Sequence, residues 1–211
     1  DNLYISGGVA LNVVANEKIK KSHLFKRVIL NGSVEDNGTA IGAALAANLN
    51  MGFKRKSSKI NEYYGRQYKD NEIIESILSF NLNYKSLSEN DIFKIAAKLI
   101  NEEKIIGWFQ GRSEFGPRAL GNRSILANPS SRSTKYLLDQ YMKCRDRYRP
   151  YAPVVTEEKA NKYFDIDSSS PVMMRNVRIL DKRLVAIQHV DGTARVQTVN
   201  RAQNKNLYCL L

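Results

Sequence analysis

The amino-acid sequence predicts a mixed fold, in which a short α/β segment is followed by a larger α+β segment. Residues 1–50 contain alternating strand and helix patterns, whereas the patterns over residues 88–211 follow no regular βαβ order. The chain between them begins with a polar and basic stretch, and this change of composition indicates a linker, which we place at residues 51–87.

Two strands and two helices are predicted in the first segment. Residues 3–6 and 27–30 are short apolar runs that predict strands. Apolar residues at helical spacing predict a helix over residues 9–20. The small apolar run 39–47 predicts a second helix that packs closely on a sheet. Residues 1–50 are therefore expected to be the last part of an α/β domain.

The second segment is expected to open with a helix at Ser88, because Ser88 and Asp91 have the spacing of a helix cap. The apolar face of that helix is expected to consist of Ile92, Ile95, Ala96, Leu99 and Ile100. A strand is predicted over residues 104–109 and a helix over residues 133–143. Three further strands are predicted over residues 172–174, 185–189 and 194–198.

Composition places the chain among ordinary globular proteins. It has 211 residues, of which 43% are hydrophobic and 26% charged, so it can bury a core of useful size. Since a membrane span needs about 18 consecutive apolar residues, and no stretch approaches that, no membrane partner is expected. The start at Asp1 and the apolar last residues suggest a piece of a longer protein. The two cysteines, Cys144 and Cys209, allow at most one disulfide, which is typical of a cytoplasmic protein.

The net charge of +12 is concentrated in two stretches. Residues 104–149 hold ten Lys and Arg against three Asp and Glu, and residues 54–66 hold five against one. A basic excess of this kind binds nucleic acid, a membrane surface or small anions, and it also occurs as a plain solvated face.

The arrangement of the basic residues favours small anions. Residues 107–124, which we call the Gly-Arg loop, contain Arg112, Arg118, Arg123 and four glycines. Residues 143–153, which we call the basic loop, contain Lys143, Arg145, Arg147 and Arg149. Guanidinium groups donate paired hydrogen bonds to planar oxyanions, and glycine lets a backbone come close to a ligand. The two loops therefore predict a pocket for phosphate or carboxylate groups.

Six runs of sequence together resemble the carbamoyltransferase family, which includes nodulation protein NodU and the antibiotic O-carbamoyltransferases. In chain order these runs are residues 6–12, 34–44, 107–124, 145–153, 171–175 and 189–199. The resemblance spans nearly the whole chain. One glycine pair or one arginine-rich loop would be weak evidence, whereas six ordered matches are specific.

The resemblance implies two joined modules. Residues 1–50 would be the C-terminal part of an actin-like ATPase-type domain, and residues 88–211 most of a YrdC-like mixed-sheet domain. The second module would form carbamoyl-adenylate from carbamoyl phosphate and ATP. The first would transfer the carbamoyl group to the hydroxyl of a small-molecule substrate, with the help of iron or another divalent metal. The identity of that acceptor and the oligomeric state are left open.

The resemblance also assigns candidate roles to the basic residues. Arg118, Lys143 and Arg149 would bind the phosphate and carbamoyl groups, and Arg195 is a further catalytic candidate. Arg112 and Arg123 are second choices for contacts with the nucleotide. The alternative is that individual arginines pair with nearby acids and hold the loops in place. Those acids are Glu114, Asp139, Asp146 and Asp191.

The same resemblance assigns nucleotide and metal contacts to the first segment. Gly7, Gly8, Asn12 and Gly38 match an adenosine-binding motif, although a glycine pair is also common in plain turns. Asp36 matches a metal-ligand aspartate, although an aspartate before Asn-Gly is also common at turns and helix caps. The histidines that would complete the metal site lie upstream in the family, so no iron is expected in this chain.

Other side chains leave alternatives open. His189 is either a buried, hydrogen-bonded histidine or a ligand contact near the adenylate pocket. Trp108 and Phe109 are expected in the core. Tyr148 and Tyr151 flank Arg149 and Pro150, where they would orient the arginine or stack on adenine.

Two competing functions remain open on sequence alone. The first is a non-enzymatic nucleic-acid-binding module, suggested by the charge of +12. Its basic residues would usually alternate with exposed aromatic residues or follow one helix face, whereas here they lie beside glycines and prolines. The second is a relative from tRNA modification or hydrogenase maturation that has the same folds and another acceptor.

Overall fold

The computed structural model describes residues 1–54 and 62–211. Residues 55–61, which contain most of the basic residues of the stretch 54–66, lie outside the described residues. In the first segment the elements are β1 (Asn2–Ile5), α1 (Val13–Lys21), β2 (Arg27–Leu30) and α2 (Asp36–Asn50). The two strands pair in parallel, with Asn2 opposite Arg27 and Ile5 opposite Leu30. Both predicted strands are therefore confirmed.

The predicted helix over residues 9–20 is interrupted near its start. A 3-10 turn covers Gly8–Leu11, and α1 begins only after Asn12. The Asn12 side chain accepts a hydrogen bond from the N–H of Ala15, as helix-capping residues do. The interruption follows because this amide competes with the helical hydrogen-bond pattern.

Helix α2 exists as predicted, but its expected close packing on a sheet is wrong within the described residues. None of its side chains is buried, and Leu45 and Leu49 are exposed. Small apolar residues favour a helix and allow close packing, but their pattern does not determine which surface packs against the helix.

The second segment contains five α-helices and five strands among its described residues. They are α3 (Asp70–Ser79), α4 (Glu89–Asn101), β3 (Ile106–Phe109), β4 (Arg123–Leu126), α5 (Arg132–Leu137), β5 (Val154–Thr156), α6 (Ala160–Tyr163), β6 (Arg175–Arg178), β7 (Thr193–Val199) and α7 (Lys205–Leu210). One π-helical turn, Leu138–Met142, continues α5.

Two sheets organise this segment. Strands β3 and β4 form an antiparallel pair, and a second sheet has the order β5-β7-β6. In that sheet β5 runs parallel to β7, whereas β6 runs antiparallel to it. The mixture of helices and small mixed sheets confirms the predicted fold class.

Several predicted elements are confirmed with shifted details. Helix α4 begins after Ser88, whose side chain accepts from the N–H of Asp91. Its buried face is formed by Phe93 and Ala96, whereas the predicted core residues Ile92 and Ile95 are exposed. The strands predicted over residues 104–109 and 194–198 are β3 and β7, and the predicted helix 133–143 is α5 with its π turn.

Two predicted strands are wrong. Residues 172–174 form a turn in which Met173 has a φ of 58°, and the strand starts only at Arg175. Residues 185–189 are also irregular, and the N–H of Ala186 donates to the carbonyl of Pro129 at 2.9 Å. Both runs are apolar because they are buried, not because they belong to a sheet. No strand was predicted over the residues that form β4 and β5.

The segment predicted as a linker contains more structure than its composition suggested. Helix α3 lies within residues 51–87, and the residues before it pair with the Gly-Arg loop. The N–H of Phe115 donates to Glu62 O at 2.5 Å, and the N–H of Gly65 donates to Ser113 O at 3.0 Å. The division of the chain into domains stays a prediction.

The two segments pack against each other through apolar and ionic contacts. Ala10, Val34 and Met174 form one small buried cluster that includes residues of both segments. The main core surrounds the β5-β7-β6 sheet and contains Phe164, Val177 and Val196 among others. Within the described residues, no helix combines the length and apolarity that a membrane crossing requires.

Candidate functional site

The Gly-Arg loop is shaped by the carboxylate of Glu114. Its Oε1 atom accepts from the N–H groups of Leu120 at 2.6 Å, Asn122 at 2.8 Å and Arg123 at 3.3 Å. A carboxylate that accepts several backbone N–H bonds fixes a turn. Glu114 therefore holds the loop backbone rather than an arginine side chain.

The loop is also fastened to the sheet. Gln197 on β7 donates from Nε2 to Leu120 O at 3.0 Å, and the hydroxyl of Tyr63 donates to the same oxygen at 3.0 Å. Residues 195 and 197 point to the same face of β7, because side chains alternate along a strand. The hydrogen bond from Gln197 therefore holds the Gly-Arg loop, which includes Arg118, against the face of β7 that carries Arg195.

The basic loop is organised by a buried carboxylate, Asp139. It accepts from Lys135 Nζ at 2.5 Å, the Tyr151 hydroxyl at 2.8 Å and Arg145 Nε at 3.4 Å. Burial opposes the ionised form of Asp139, but the hydrogen bonds from Lys135 and Tyr151 outweigh it and hold its pKa below the ordinary value. Burial and the hydrogen bond to Asp139 raise the pKa of Tyr151 to about 12.

Tyr151 also stacks on an arginine of this loop. The guanidinium carbon of Arg145 lies 4.2 Å from the centre of the Tyr151 ring. Tyr148 is exposed and stacks on no arginine of the described residues, so the arginine that Tyr151 orients is Arg145 rather than Arg149. Asp139 thus binds Lys135 and Arg145, which agrees with the alternative that nearby acids pair with basic residues and hold the loops in place.

Arg195 lies where three other arginines exert their charge. Burial, followed by the positive charges of Arg118, Arg145 and Arg149, lowers the pKa of Arg195 to about 10. Its Nε atom is buried and has no hydrogen-bond partner in residues 1–54 and 62–211. Over the same residues, Arg118, Arg149 and Arg195 form no ion pair with a carboxylate. Guanidinium groups held together without acids create the potential that an anion-binding site needs.

Lys143 lies beside this cluster. It follows the π turn at the start of the basic loop and lines a cavity of about 170 Å³ together with Ala119 and Gln197. Ala119 is the chain neighbour of Arg118, and Gln197 lies two residues beyond Arg195. The structure therefore brings Arg118, Arg149 and Arg195 together and places Lys143 at an adjoining cavity, and we call these four residues the cation cluster. Their catalytic roles stay predictions.

Arg112 and Arg123 are placed elsewhere, at the base of the Gly-Arg loop. Arg123 donates to three backbone carbonyls of that loop at 2.5–3.1 Å, and its guanidinium carbon lies 3.5 Å from the Phe109 ring centre. Arg112 donates from Nη2 to Tyr64 O at 3.2 Å. Both arginines therefore brace the loop, and nothing in the described residues connects them to the cation cluster. Their proposed contact with nucleotide stays a prediction.

Two aromatic side chains of β3 have different surroundings. Trp108 is buried against Phe93, as predicted for a core residue. Phe109 is exposed and covered by Arg123 on one face, so its assignment to the core is wrong. Neighbouring strand residues point to opposite sides of a sheet, which explains the difference.

His189 is half-buried and hydrogen-bonded. Its Nδ1 lies 3.1 Å from Thr193 Oγ1, and burial, the largest effect, lowers its pKa below the ordinary value. Asp191 forms no ion pair with any arginine that the structure describes, and its carboxylate accepts from the hydroxyl of Thr193 at 2.5 Å. Cys144 and Cys209 are both free thiols.

The glycine turn of the first segment has an open side. Gly7 has a φ of 85°, its N–H donates to Val34 O at 2.7 Å, and a Cβ at Gly7 or Gly8 would meet no atom within 4 Å. Gly38 is required for a different reason, because a Cβ there would lie 2.2 Å from Ser33 O. Asn12 caps α1. The adenosine contact assigned to these residues stays a prediction.

Asp36 is the first residue of α2 and is exposed. No group of three or more His, Cys, Asp and Glu side chains with metal-binding geometry occurs in the part of the chain that the structure describes. A single carboxylate does not hold a transition metal, so the described residues do not by themselves form a metal site. The next residue, Asn37, has both polar atoms of its side chain buried and unpartnered over the described ranges.

Two functional candidates were missed by the sequence patterns. The Glu62 carboxylate accepts from Ser33 Oγ at 2.6 Å, and its backbone carbonyl accepts from the N–H of Phe115, so Glu62 joins the Gly-Arg loop to the turn before α2. Burial raises the pKa of its carboxyl group. Asn176 lies on β6 opposite Arg195. No sequence pattern could have found either, because Glu62 lay in a predicted linker and Asn176 just past a misplaced strand.

The fold and the cation cluster together define a mixed α/β protein with a concentration of arginines that form no ion pair with a carboxylate of the described residues. Residues 97–211 match the model of the carbamoyltransferase C-terminus, and residues 1–45 match the model of the carbamoyltransferase N-terminus. The chain belongs to the carbamoyltransferase family.

Relatives extend this match to both halves of the chain. Nodulation protein NolNO of Sinorhizobium fredii is 38% identical over 96% of this chain and 31% of its own length. A 3'-hydroxymethylcephem-O-carbamoyltransferase of Streptomyces clavuligerus is 35% identical over 99% of this chain and 39% of its own length. Nodulation protein U of Azorhizobium caulinodans is 35% identical over 95% and 34%, respectively. The chain thus spans about a third of the length of these relatives.

Proposed function

We propose that the protein is an ATP-dependent O-carbamoyltransferase and that the cation cluster binds carbamoyl phosphate and ATP. One observation carries the proposal: Arg195 is partly buried, unpartnered at Nε and surrounded by the charges of three other arginines. Asp139 compensates Arg145, but confining Arg118, Arg149 and Arg195 without a paired acid is unfavourable in the ligand-free protein, so an anionic ligand would explain the arrangement.

The charges of the proposed substrates fit such a site. Carbamoyl phosphate carries about two negative charges and ATP about four near neutral pH, so bringing them together requires several fixed cations. Release of phosphate from carbamoyl phosphate by water would leave carbamate. A carbamate oxygen would then attack the α-phosphorus of ATP, and pyrophosphate would leave. Aligning these two reactants and neutralising their charge would supply most of the catalysis.

The second half of the reaction would use the first segment. The acceptor hydroxyl would attack the carbamoyl carbon of the adenylate, with AMP as the leaving group. The cephem relative is named for carbamoylation of a hydroxymethyl group, which supports a hydroxyl-bearing small molecule as the acceptor class here. Asp36 would contribute one ligand to a metal whose other ligands are not among the described residues.

Pyrophosphate release tests the proposal. In the whole protein, Arg118→Ala and Lys143→Ala should each abolish the release of pyrophosphate from ATP in the presence of carbamoyl phosphate. The matched control is Arg147→Ala in the basic loop, because the Arg147 guanidinium lies over the Tyr136 ring, 4.8 Å from its centre, and Arg147 is not a member of the cation cluster. Unchanged release in the first two variants would refute the assignment.

A nucleic-acid-binding role is separated by a filter-binding measurement. The proposed function predicts weak RNA and DNA binding that ATP and carbamoyl phosphate displace. Tight, salt-sensitive binding that ignores both small molecules would instead favour the nucleic-acid module.

A further inference from the structure

Two buried polar atoms on one face of the β6–β7 pair have no partner. Asn176 is only 4% exposed, and its Oδ1 atom makes no hydrogen bond to any described residue. The same holds for Arg195 Nε. Buried polar atoms are nearly always paired in native proteins, so an unpaired acceptor beside an unpaired donor calls for an explanation.

The two atoms belong to neighbouring side chains. Asn176 and Arg195 lie directly opposite each other in the antiparallel register of β6 and β7. Side chains at opposite positions project from the same face of a sheet, with Cβ atoms about 4.5–5.5 Å apart. Asn176 is therefore a direct neighbour of Arg195, which belongs to the cation cluster.

The orientation of the Asn176 amide is fixed by Thr193. The Thr193 hydroxyl donates its one proton to Asp191 Oδ1 at 2.5 Å, because an ionised carboxylate only accepts. Thr193 Oγ1 can then only accept, and it does so from Asn176 Nδ2 at 2.8 Å. With Nδ2 directed at Thr193, the Oδ1 atom of Asn176 remains as the free acceptor.

We infer that Asn176 Oδ1 and Arg195 Nε together recognise the carbamoyl group, and that Asn176 determines the selectivity for carbamoyl over acyl phosphates. This inference rests on the proposed function. A carbamoyl group presents a carbonyl acceptor next to an N–H₂ donor, which is the complement of Arg195 Nε beside Asn176 Oδ1. Arg118 and Arg149 would be left to bind the phosphate.

The selectivity follows from what a wrong ligand leaves unpaired. Acetyl phosphate has a methyl group in place of the amino group, so it would leave Asn176 Oδ1 buried without a partner. Sites built to bond a substrate N–H reject analogues that lack it for this reason. Inorganic phosphate, which has neither group, would use the cations alone.

The test compares three probes by calorimetry on the whole protein: carbamoyl phosphate, acetyl phosphate and inorganic phosphate. The wild-type protein should prefer carbamoyl over acetyl phosphate. Asn176→Leu should reduce that preference about ten- to a hundredfold, with the affinity for inorganic phosphate unchanged. The control is Arg178→Gln, two positions along β6 and exposed, which should keep the preference. A preference that survives Asn176→Leu would overturn the inference and leave the proposed function intact.

A second variant keeps the inference testable if Asn176→Leu fails to fold. Asn176→Asp keeps the shape of the side chain but adds a carboxylate beside Arg195. An ion pair there should weaken the binding of all three probes, and thermal unfolding should report a folded protein. Wild-type affinity for inorganic phosphate in this variant would contradict the adjacency on which the inference depends. Failure of the wild-type protein to bind any of the probes would overturn the proposed function and the inference together.

Discussion

Asp139 shows how one buried carboxylate can organise a strongly basic loop. It receives hydrogen bonds from Lys135, Arg145 and Tyr151 and is only 2% exposed. Removing one member of a buried ionic group leaves the other charges uncompensated, which is more costly than the net value of the pair. Asp139 therefore matters more for holding the loop than any single exposed cation on it.

We expect Asp139→Ala to lower the free energy of unfolding by about 3 kcal/mol at pH 7, measured by urea denaturation. Glu102→Ala is the control, because Lys98–Glu102 has the same i,i+4 spacing at the surface and should change stability by less than about 1 kcal/mol. Equal losses in the two variants would contradict the assigned importance of burial.

The same residue gives a pH dependence with a definite sign. The folded pKa of Asp139 lies below the ordinary aspartate value of 3.8, so its contribution to stability is complete well above pH 3.8 and is lost as the pH falls through the folded pKa. The stability difference between the wild-type protein and Asp139→Ala should therefore shrink below about pH 4. A difference that grew on acidification would show that the carboxylate is not ionised in the folded state.

At the scale of elements, the Gly-Arg loop packs against helix α7 at a point where Gly121 leaves no room for a side chain. Its φ is +100°, and a Cβ would lie 2.2 Å from Leu207 Cδ2 on helix α7. Overpacking combined with an unfavourable φ typically costs about 1–3 kcal/mol. The loop and α7 are therefore closely fitted to each other.

Gly121→Ala should destabilise the protein by about 1–3 kcal/mol and slow pyrophosphate release, because Leu207 or the loop must move. Thermal denaturation and the release assay measure the two effects. Gly107→Ala is the control, since a Cβ at Gly107 would meet no atom within 4 Å and should change stability by less than about 1 kcal/mol. A neutral effect at Gly121 would mean that Leu207 is free to rotate away.

Helix α1 is joined to strand β6 by a two-point ion pair. Arg175 Nε lies 2.7 Å from Glu17 Oε2, and Arg175 Nη2 lies 3.0 Å from Glu17 Oε1, with both side chains buried. Its third nitrogen donates to Asp167 at 2.9 Å. The planar fork of arginine makes this arrangement possible, and the pair links the two predicted domains.

Arg175→Ala should lower the free energy of unfolding by about 3–5 kcal/mol, because it strands the Glu17 carboxylate in a buried position. Lys21→Ala is the matched control: Lys21 is also bound to Glu17, at 3.7 Å, but its side chain is 60% exposed. That variant should lose less than about 1 kcal/mol in the same chemical denaturation. A small loss for Arg175→Ala would indicate that the segments pack without this pair.

At the scale of the whole molecule, the proposed function divides two steps between two segments. Asp36→Ala in the whole protein should leave pyrophosphate release intact and block transfer to the acceptor, because Asp36 lies in the first segment and the cation cluster in the second. Separate assays of pyrophosphate and of carbamoylated product would measure the two steps. Loss of both activities would argue against two separate sites.

The family resemblance, rather than periodicity or spacing, named the candidate basic residues of this site. Arg118, Lys143, Arg149 and Arg195 were its catalytic candidates, and the structure brings the three arginines together, with Lys143 at an adjoining cavity. Arg112 and Arg123 were second choices of the same resemblance, and the structure binds both to backbone carbonyls. Residue type reveals what a side chain can do, but only its neighbours decide whether its donors are already used.

The sequence alone determined the mixed fold class, the strands β1, β2, β3 and β7, the cap of α4, and the concentration of cations in two loops. These depend on local periodicity, capping and composition, which involve residues close together in the chain. The tertiary structure alone decided that α2 stays uncovered within the described residues, that Asp139 neutralises two cations while Arg195 remains unpaired, and that Asn176 lies beside Arg195. Those outcomes depend on contacts between residues distant in the chain, which local pattern does not encode.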